Sequence, residues 1–223
     1  TFDKADLLNG VTDPDLVNDT NPTDVLAIKS GSVSSDKGSI SYSDTTKKWT
    51  FTPNSNYSGN AKINYLIEDG KGATISNTIT LVVDPVNDSP VRSAGNVGTL
   101  NLLEDAARAP MGLAGVTYSK GGGTDETSQT LDIKVTALPA ATFGKIYKTD
   151  GTTDTEISVN DALTLAELQG LKFEPFANAS GTANFVFEVT DRGTTNAANA
   201  TDKQTLTETL TIDIKAFNDA PEL

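Results

Sequence analysis

Val86-Asn87-Asp88-Ser89-Pro90 and Phe217-Asn218-Asp219-Ala220-Pro221 are two versions of one signal. Each follows a strand-like run, Thr80-Leu81-Val82-Val83 in the first case and Thr211-Ile212-Asp213-Ile214 in the second. The echo extends upstream. Phe51-Thr52-Pro53-Asn54-Ser55-Asn56-Tyr57-Ser58-Gly59 aligns without a gap on Phe173-Glu174-Pro175-Phe176-Ala177-Asn178-Ala179-Ser180-Gly181, and residues 61–69 then run in step with residues 183–191. Phe173 lies 122 positions after Phe51, whereas Asn218 lies 131 positions after Asn87, so the second copy carries nine extra residues between the two blocks. Self-similarity on this scale means tandem modules built on one plan. Two modules are expected, residues 1–86 and 87–223, joined by a short linker between Asp84 and Pro90.

Composition narrows the setting. With 36% hydrophobic and only 6% aromatic residues, the 223-residue chain can fill thin sandwich cores but not one large core. Its net charge of −13 argues against nucleic acid, whose phosphates require Lys and Arg, and against anionic membrane surfaces. Excess carboxylate suits a hard divalent cation instead. The chain has no Cys and no His. Disulfides and zinc-thiolate sites are thereby excluded, and so are the commonest general base and transition-metal ligand. No apolar run approaches the roughly 18 residues needed to span a bilayer, and no signal peptide is visible.

Alternating patterns predict strands nearly throughout. Ser39-Ile40-Ser41-Tyr42-Ser43 and Lys48-Trp49-Thr50-Phe51-Thr52 flank a turn at residues 44–47 and read as a hairpin. Ile63-Asn64-Tyr65-Leu66-Ile67 and Thr78-Ile79-Thr80-Leu81-Val82 flank the Gly-rich turn Asp69-Gly70-Lys71-Gly72. The second copy repeats this with runs at 131–135, 144–148, 171–173, 184–189 and 210–214. Helix signals are few: a short turn at 163–170 closed by Gly170, and another at 6–10. Many short strands between regular turns predict an all-β chain with one β-sandwich per module.

Taken in order, Thr12-Asp13-Pro14-Asp15, Phe51-Thr52-Pro53-Asn54, Ile67-Glu68-Asp69-Gly70-Lys71-Gly72 and Val86-Asn87-Asp88-Ser89-Pro90 resemble the bacterial cadherin-like tandem repeats of large secreted, RTX-type adhesins. The second copy is similar to a longer subtype, through Leu103-Glu104-Asp105, Gly121-Gly122-Gly123-Thr124-Asp125-Glu126 and Leu168-Gln169-Gly170-Leu171. The resemblance implies immunoglobulin-like sandwiches, calcium at module ends, and service as an extracellular stalk or adhesive unit on a bacterial surface. It also implies a Glu near the start of each first strand. Glu104 supplies it in the second copy, while the first copy opens at Thr1-Phe2, where a second strand is expected; its leading strand is expected to be missing.

The metal chemistry also follows from the residues. Ca2+ takes 6–8 oxygen ligands from carboxylates, amides and backbone carbonyls. Asn-Asp before Pro places two such side chains where a strand must stop. In a seven-strand sandwich the two-three and six-seven loops share one end with the amino terminus. Asp125, Glu126 and Asp191 are therefore expected to meet Asp84, Asn87 and Asp88, as four or five converging carboxylates. The matching loops of the first module hold Asp13, Asp15 and Asp69, and at the far end Glu104 should approach Asn218 and Asp219. The competing reading is plain turn chemistry, since Asp caps its own backbone and Gly supplies positive φ.

Other chemistry finds little support. Gly121-Gly122-Gly123 lacks the Gly-Lys-Ser/Thr of a phosphate loop. Acid pairs such as Asp13 with Asp15 have no partner cluster that would make a glycosidase, so no enzyme is expected. Trp49, in an alternating strand, is expected in a core. Two functions remain. One is a calcium-rigidified extender that supports adhesion or biofilm formation and whose partners are neighbouring repeats of the same polypeptide. The other is a calcium-dependent module that recognises polysaccharide, or another copy of itself, through loops of the second module, above all the long loop from Asp191 to Glu208.

Overall fold

The computed structural model describes residues 1–14, 25–195, 197 and 200–218. Asp15 and Asp219 lie outside the described residues. The chain divides into two compact units, one of residues 1–86 with 123–125, the other of residues 87–122 with 126–223. Strands dominate both, and among the described residues no helix is long and apolar enough to cross a membrane.

The first unit contains β1 (Phe2–Asp3), α1 (Lys4–Leu8), β2 (Ala27–Ile28), β3 (Gly38–Ser43), β4 (Lys48–Pro53), β5 (Gly59–Glu68) and β6 (Thr74–Val83). They form two antiparallel sheets, β1-β4-β3 and β2-β5-β6. Period-two patterning sets the register: Ala61, Ile63, Tyr65 and Ile67 of β5 are all buried, with exposed residues between most of them. They pack with Phe2 and Leu7 across the gap between the sheets. Tyr65 Oη donates to the Leu7 carbonyl at 2.7 Å and ties α1 to β5. Burial raises that phenol above its usual pKa and keeps it a donor at neutral pH.

The helix starts earlier than the Asp6–Gly10 pattern predicts. Asp3 caps it: Asp3 Oδ1 accepts from Ala5 N and Asp6 N, and Asp6 Oδ2 accepts from Asp3 N. This reciprocal box uses Asp where Glu is customary, which hides it from a sequence search.

The second unit contains β7 (Val91–Ala94), β8 (Thr99–Leu103), β9 (Ala109–Pro110), β10 (Thr117–Ser119), β11 (Asp132–Ala137), β12 (Gly144–Thr149), β13 (Asp154–Glu156), β14 (Ala162–Leu163), α2 (Leu165–Gln169), β15 (Lys172–Pro175), β16 (Gly181–Thr190) and β17 (Thr205–Lys215). Its main sheets run β14-β11-β16-β17-β8 and β13-β12-β15-β9, with a small β10-β7 pair. Phe173, Phe185, Phe187, Leu168 and Ile212 fill the space between them. As the Gly170 signal predicts, α2 ends there, and a Thr164–Glu167 capping box starts it.

The repeat read from sequence is a repeat of backbone. Asn56 and Asn178 share a φ of 59°, and Gly59 and Gly181 have φ of 109° and 106°. Gly38 faces Pro53 across its pair just as Gly144 faces Pro175. A Cβ on Gly38 would lie 2.7 Å from the Phe51 ring, and one on Gly144 would lie 2.4 Å from the Phe173 ring. Both glycines are needed so that the Phe of the opposite strand can turn inward. One difference separates the units. In the second, β8 pairs in parallel with β17 from Thr211↔Thr99 to Lys215↔Leu103. Among the described residues no strand pairs with the corresponding edge of β6.

Candidate functional site

The second unit gathers its polar side chains where the chain enters it, at Asn87 and Asp88. Pro90 is buried and cannot extend a strand upstream. Asn87 is the hub. Its Nδ2 donates to Asp191 Oδ2 at 3.0 Å and to the Asp202 carbonyl at 2.9 Å, and its Oδ1 accepts from Gln129 Nε2 at 2.7 Å. Asp88 N donates to Glu126 Oε1 at 3.3 Å. Gly121 permits this approach, since a Cβ there would lie 2.7 Å from the Asp88 Cβ.

The elements around the cluster fix it. Asp191 follows β16 and is fully buried, with Oδ1 accepting from Gly193 N at 2.9 Å and Gln204 N at 3.0 Å. Its hydrogen-bond donors are thus all neutral N–H groups. Glu126 and Gln129 sit on and just after the 3₁₀ turn Asp125–Ser128, exposed by only 2% and 1%. Asp202 locks the loop through Thr194, whose N and Oγ1 donate to Oδ2 at 3.0 and 2.6 Å. Those bonds hold its carboxyl below the usual Asp pKa. The loop runs from Asp191 only to Gln204, because β17 begins at Thr205 rather than after Glu208.

The unit therefore brings together Asn87, Asp88, Glu126 and Asp191 from the expected set. It adds Gln129, Asp202 and Gln204, which sequence reasoning missed. Gln129, three residues after Glu126, is the one local signal that could have found them. Asp84 and Asp125 belong to the first unit. Among the described residues no three acidic side chains gather closely enough to hold an ion by themselves. The entry cluster buries two carboxylates, Glu126 and Asp191, together with the amides of Asn87 and Gln129.

The donor chemistry was tested against a divalent cation. Every side-chain oxygen available here is hard, and Ca2+ accepts amide and carbonyl oxygens as readily as carboxylates. Gln129 Oε1 is buried and has no hydrogen-bond donor. An orphaned buried oxygen beside buried carboxylates is costly without a cation or water. The set fits calcium. Asn87, Glu126, Gln129 and Asp191 would hold it, and a bound ion would supply charge neutralisation and cross-linking, with no reaction.

The other candidates are dispersed. Asp13 and Asp69 line a small pocket of about 190 Å³ in the first unit. Asp69 turns back on its own hairpin, with Oδ1 accepting from Lys71 N at 2.9 Å and Ala73 N at 2.8 Å, as turn chemistry requires. Glu104 is buried, and its Oε1 accepts from Phe217 N, one residue before Asn218.

A family model for the cadherin-like domain matches residues 1–84. No curated protein matches the chain. Among solved structures, human mucin-like protocadherin EC1-2 is similar at 11% identity and a TM-score of 0.41, over 86% of this chain and 85% of that one. Human CDH23 EC21-23 is similar at 12% identity and a TM-score of 0.44, over 87% of this chain and 63% of that one. For the protocadherin gamma B2 extracellular cadherin domains 3–6 the values are 11% and 0.44, over 84% of this chain and 40% of that one. The chain thus spans less than half the length of that last protein. The cadherin-like description rests on the match over residues 1–84, and the strand plan of the second unit repeats that of the first.

Proposed function

We propose that this chain is a calcium-rigidified extender segment of a secreted bacterial surface adhesin, set between neighbouring repeats of one polypeptide and supporting cell adhesion or biofilm formation. The observation that carries the reading is the buried cluster at the entry to the second unit, with its two carboxylates and the unpartnered Gln129 Oε1. Calcium held there would fix Asn87, and with it the point where the chain enters the fold. Asp88 is proposed as a further ligand at the cluster, and Asp13, Asp15, Asp69, Asp84, Asp125, Glu104, Asn218 and Asp219 as further ligands at module ends. The tandem plan favours a spacer role.

Melting curves with and without calcium test it. The ligands converge only in the folded chain, so a hundredfold excess over Kd should add about 2.7 kcal/mol. The second unit should then melt several degrees higher in millimolar calcium. Magnesium should do less, because it dehydrates reluctantly and demands a tighter octahedron. Asp88→Ala should reduce the calcium effect while the fold persists, since the half-buried Asp88 belongs to neither core. Small-angle scattering should show a shorter maximum dimension in chelator. If the second unit melts at one temperature in calcium and in chelator, the cluster is not a calcium site.

A further inference from the structure

We propose that the first unit binds an acidic saccharide of the uronate class in an aromatic, lysine-rimmed cavity between β2 and the β3–β4 hairpin. The inference is independent of the calcium cluster, which belongs to the other unit.

The cavity measures about 590 Å³, within the range of small-molecule sites, roughly 300–1,000 Å³. It is lined by β2, which is only two residues long, by the segment that follows it, and by the β3–β4 hairpin. Ile40, Tyr42 and Trp49 face the opening, and Lys4, Lys29 and Lys47 complete its lining. Among the described residues no carboxylate lines it. In a chain of net charge −13, three lysines around one cavity stand against the average charge.

Both chemical features are built in. Tyr42 and Trp49 pair directly across β3 and β4, their rings 4.7 Å apart and tilted by 46°. Phe2, buried on β1, stacks behind Trp49 at 6.1 Å and 12°, which fixes the indole plane. Tyr42 nevertheless remains 47% exposed. Each lysine rides on anchored backbone. Lys4 opens the capped helix α1. Lys29 N donates to the Leu66 carbonyl at 2.9 Å, and the Lys29 carbonyl accepts from Ser32 Oγ at 2.7 Å. Lys47 holds a left-handed turn, with φ of 56° and its N donating to the Ser43 carbonyl at 2.8 Å. Among the described residues the only ion pair of the three is Lys47 with Asp44 at 3.6 Å, too exposed to hold the ammonium away from a ligand.

The ligand chemistry follows. The negative faces of Tyr42 and Trp49 attract the weakly positive C–H face of a pyranose ring. Separate ammonium groups from three elements match carboxylates repeated along a chain better than one compact phosphate, for which Arg forks are the customary partner. An acidic peptide would satisfy the lysines but offers no ring face to the aromatic pair.

Trp49 is the only Trp in the chain, so its emission reports the site. The full chain should be titrated, in chelator to prevent calcium bridging, with a galacturonic acid tetramer, a neutral galactose tetramer and a glutamate pentamer. Saturable change in Trp49 emission is expected with the uronate. The neutral sugar and the peptide should bind at least roughly tenfold more weakly, the equivalent of about 1.4 kcal/mol. The Lys4→Gln/Lys29→Gln double variant should weaken uronate binding several-fold without changing the melting curve, since both lysines are exposed. Tyr42→Ala should weaken it as well, with a small fall in melting temperature as the cross-strand pair with Trp49 is lost. Equal binding of the neutral sugar or of the glutamate pentamer would overturn the assignment. So would parent-like affinity in the lysine variant, or no saturation by the uronate at millimolar concentration.

Discussion

Asp191→Ala should destabilise the second unit by about 3 kcal/mol, because three N–H donors to one buried carboxylate lose their acceptor at once. Gly193 N, Gln204 N and Asn87 Nδ2 all point at this carboxylate, which is fully buried. Leaving one such donor unsatisfied costs about 1–3 kcal/mol, and water entering the truncated site recovers part of the total. Asp191→Asn should cost less, since the amide oxygen can still serve Gly193 and Gln204. Urea unfolding followed by circular dichroism measures both. Trp49 emission, which senses the first unit alone, should keep its parent midpoint. If Asp191→Ala unfolds with the parent's profile throughout, the cluster is not what holds the entry segment and the β16–β17 loop in place.

The second large effect lies in the core. Phe187 is fully buried in β16, stacked on Phe185 at 5.4 Å and met edge-on by Tyr118 at 6.5 Å. It faces Val135 of β11 and Glu208 of β17 in register, so strands on both sides restrict collapse into a vacated space. Phe→Ala at such a site costs about 3–5 kcal/mol, through lost burial and an unfilled cavity. Typical domains are stable by about 5–15 kcal/mol in all, so the loss is a large fraction. The second unit's melting temperature should fall by about 10 °C or more, as read by scanning calorimetry. A fall of one or two degrees would mean that the core repacks far more freely than this geometry allows.

What the sequence revealed and what it hid divide along a physical line. Period-two runs and the Phe-x-Pro blocks carry local information, so the long strands and the all-β class were legible. The equivalence of Gly38 and Gly144 was not, because the second copy's spacing has changed between those glycines and the Phe51 and Phe173 strands. The run Thr99–Leu103 gave no strand signal in the reading, since its parallel partner lies more than a hundred residues away. Asn87, Glu126 and Asp191 could be nominated from turn chemistry. Gln129, Asp202 and Gln204 could not, because amides and loop acids mean little until a fold places them. Lys4, Lys29 and Lys47 are scattered in a strongly acidic chain, and the average charge conceals the one cavity they share. Trp49 was read as core; it is half-buried, with one side packed on Phe2 and the other lining that cavity.

The parallel pairing of β8 with β17 bears on how the second unit would answer a pulling load. Tension enters the second unit upstream of β8 and leaves it downstream of β17. Because the two strands run the same way, the load draws them past each other lengthwise, and the ladder from Thr99 to Leu103 is sheared as a block instead of opened one rung at a time. Under traction the second unit's ladder would hold until its whole block of pairs gave way together.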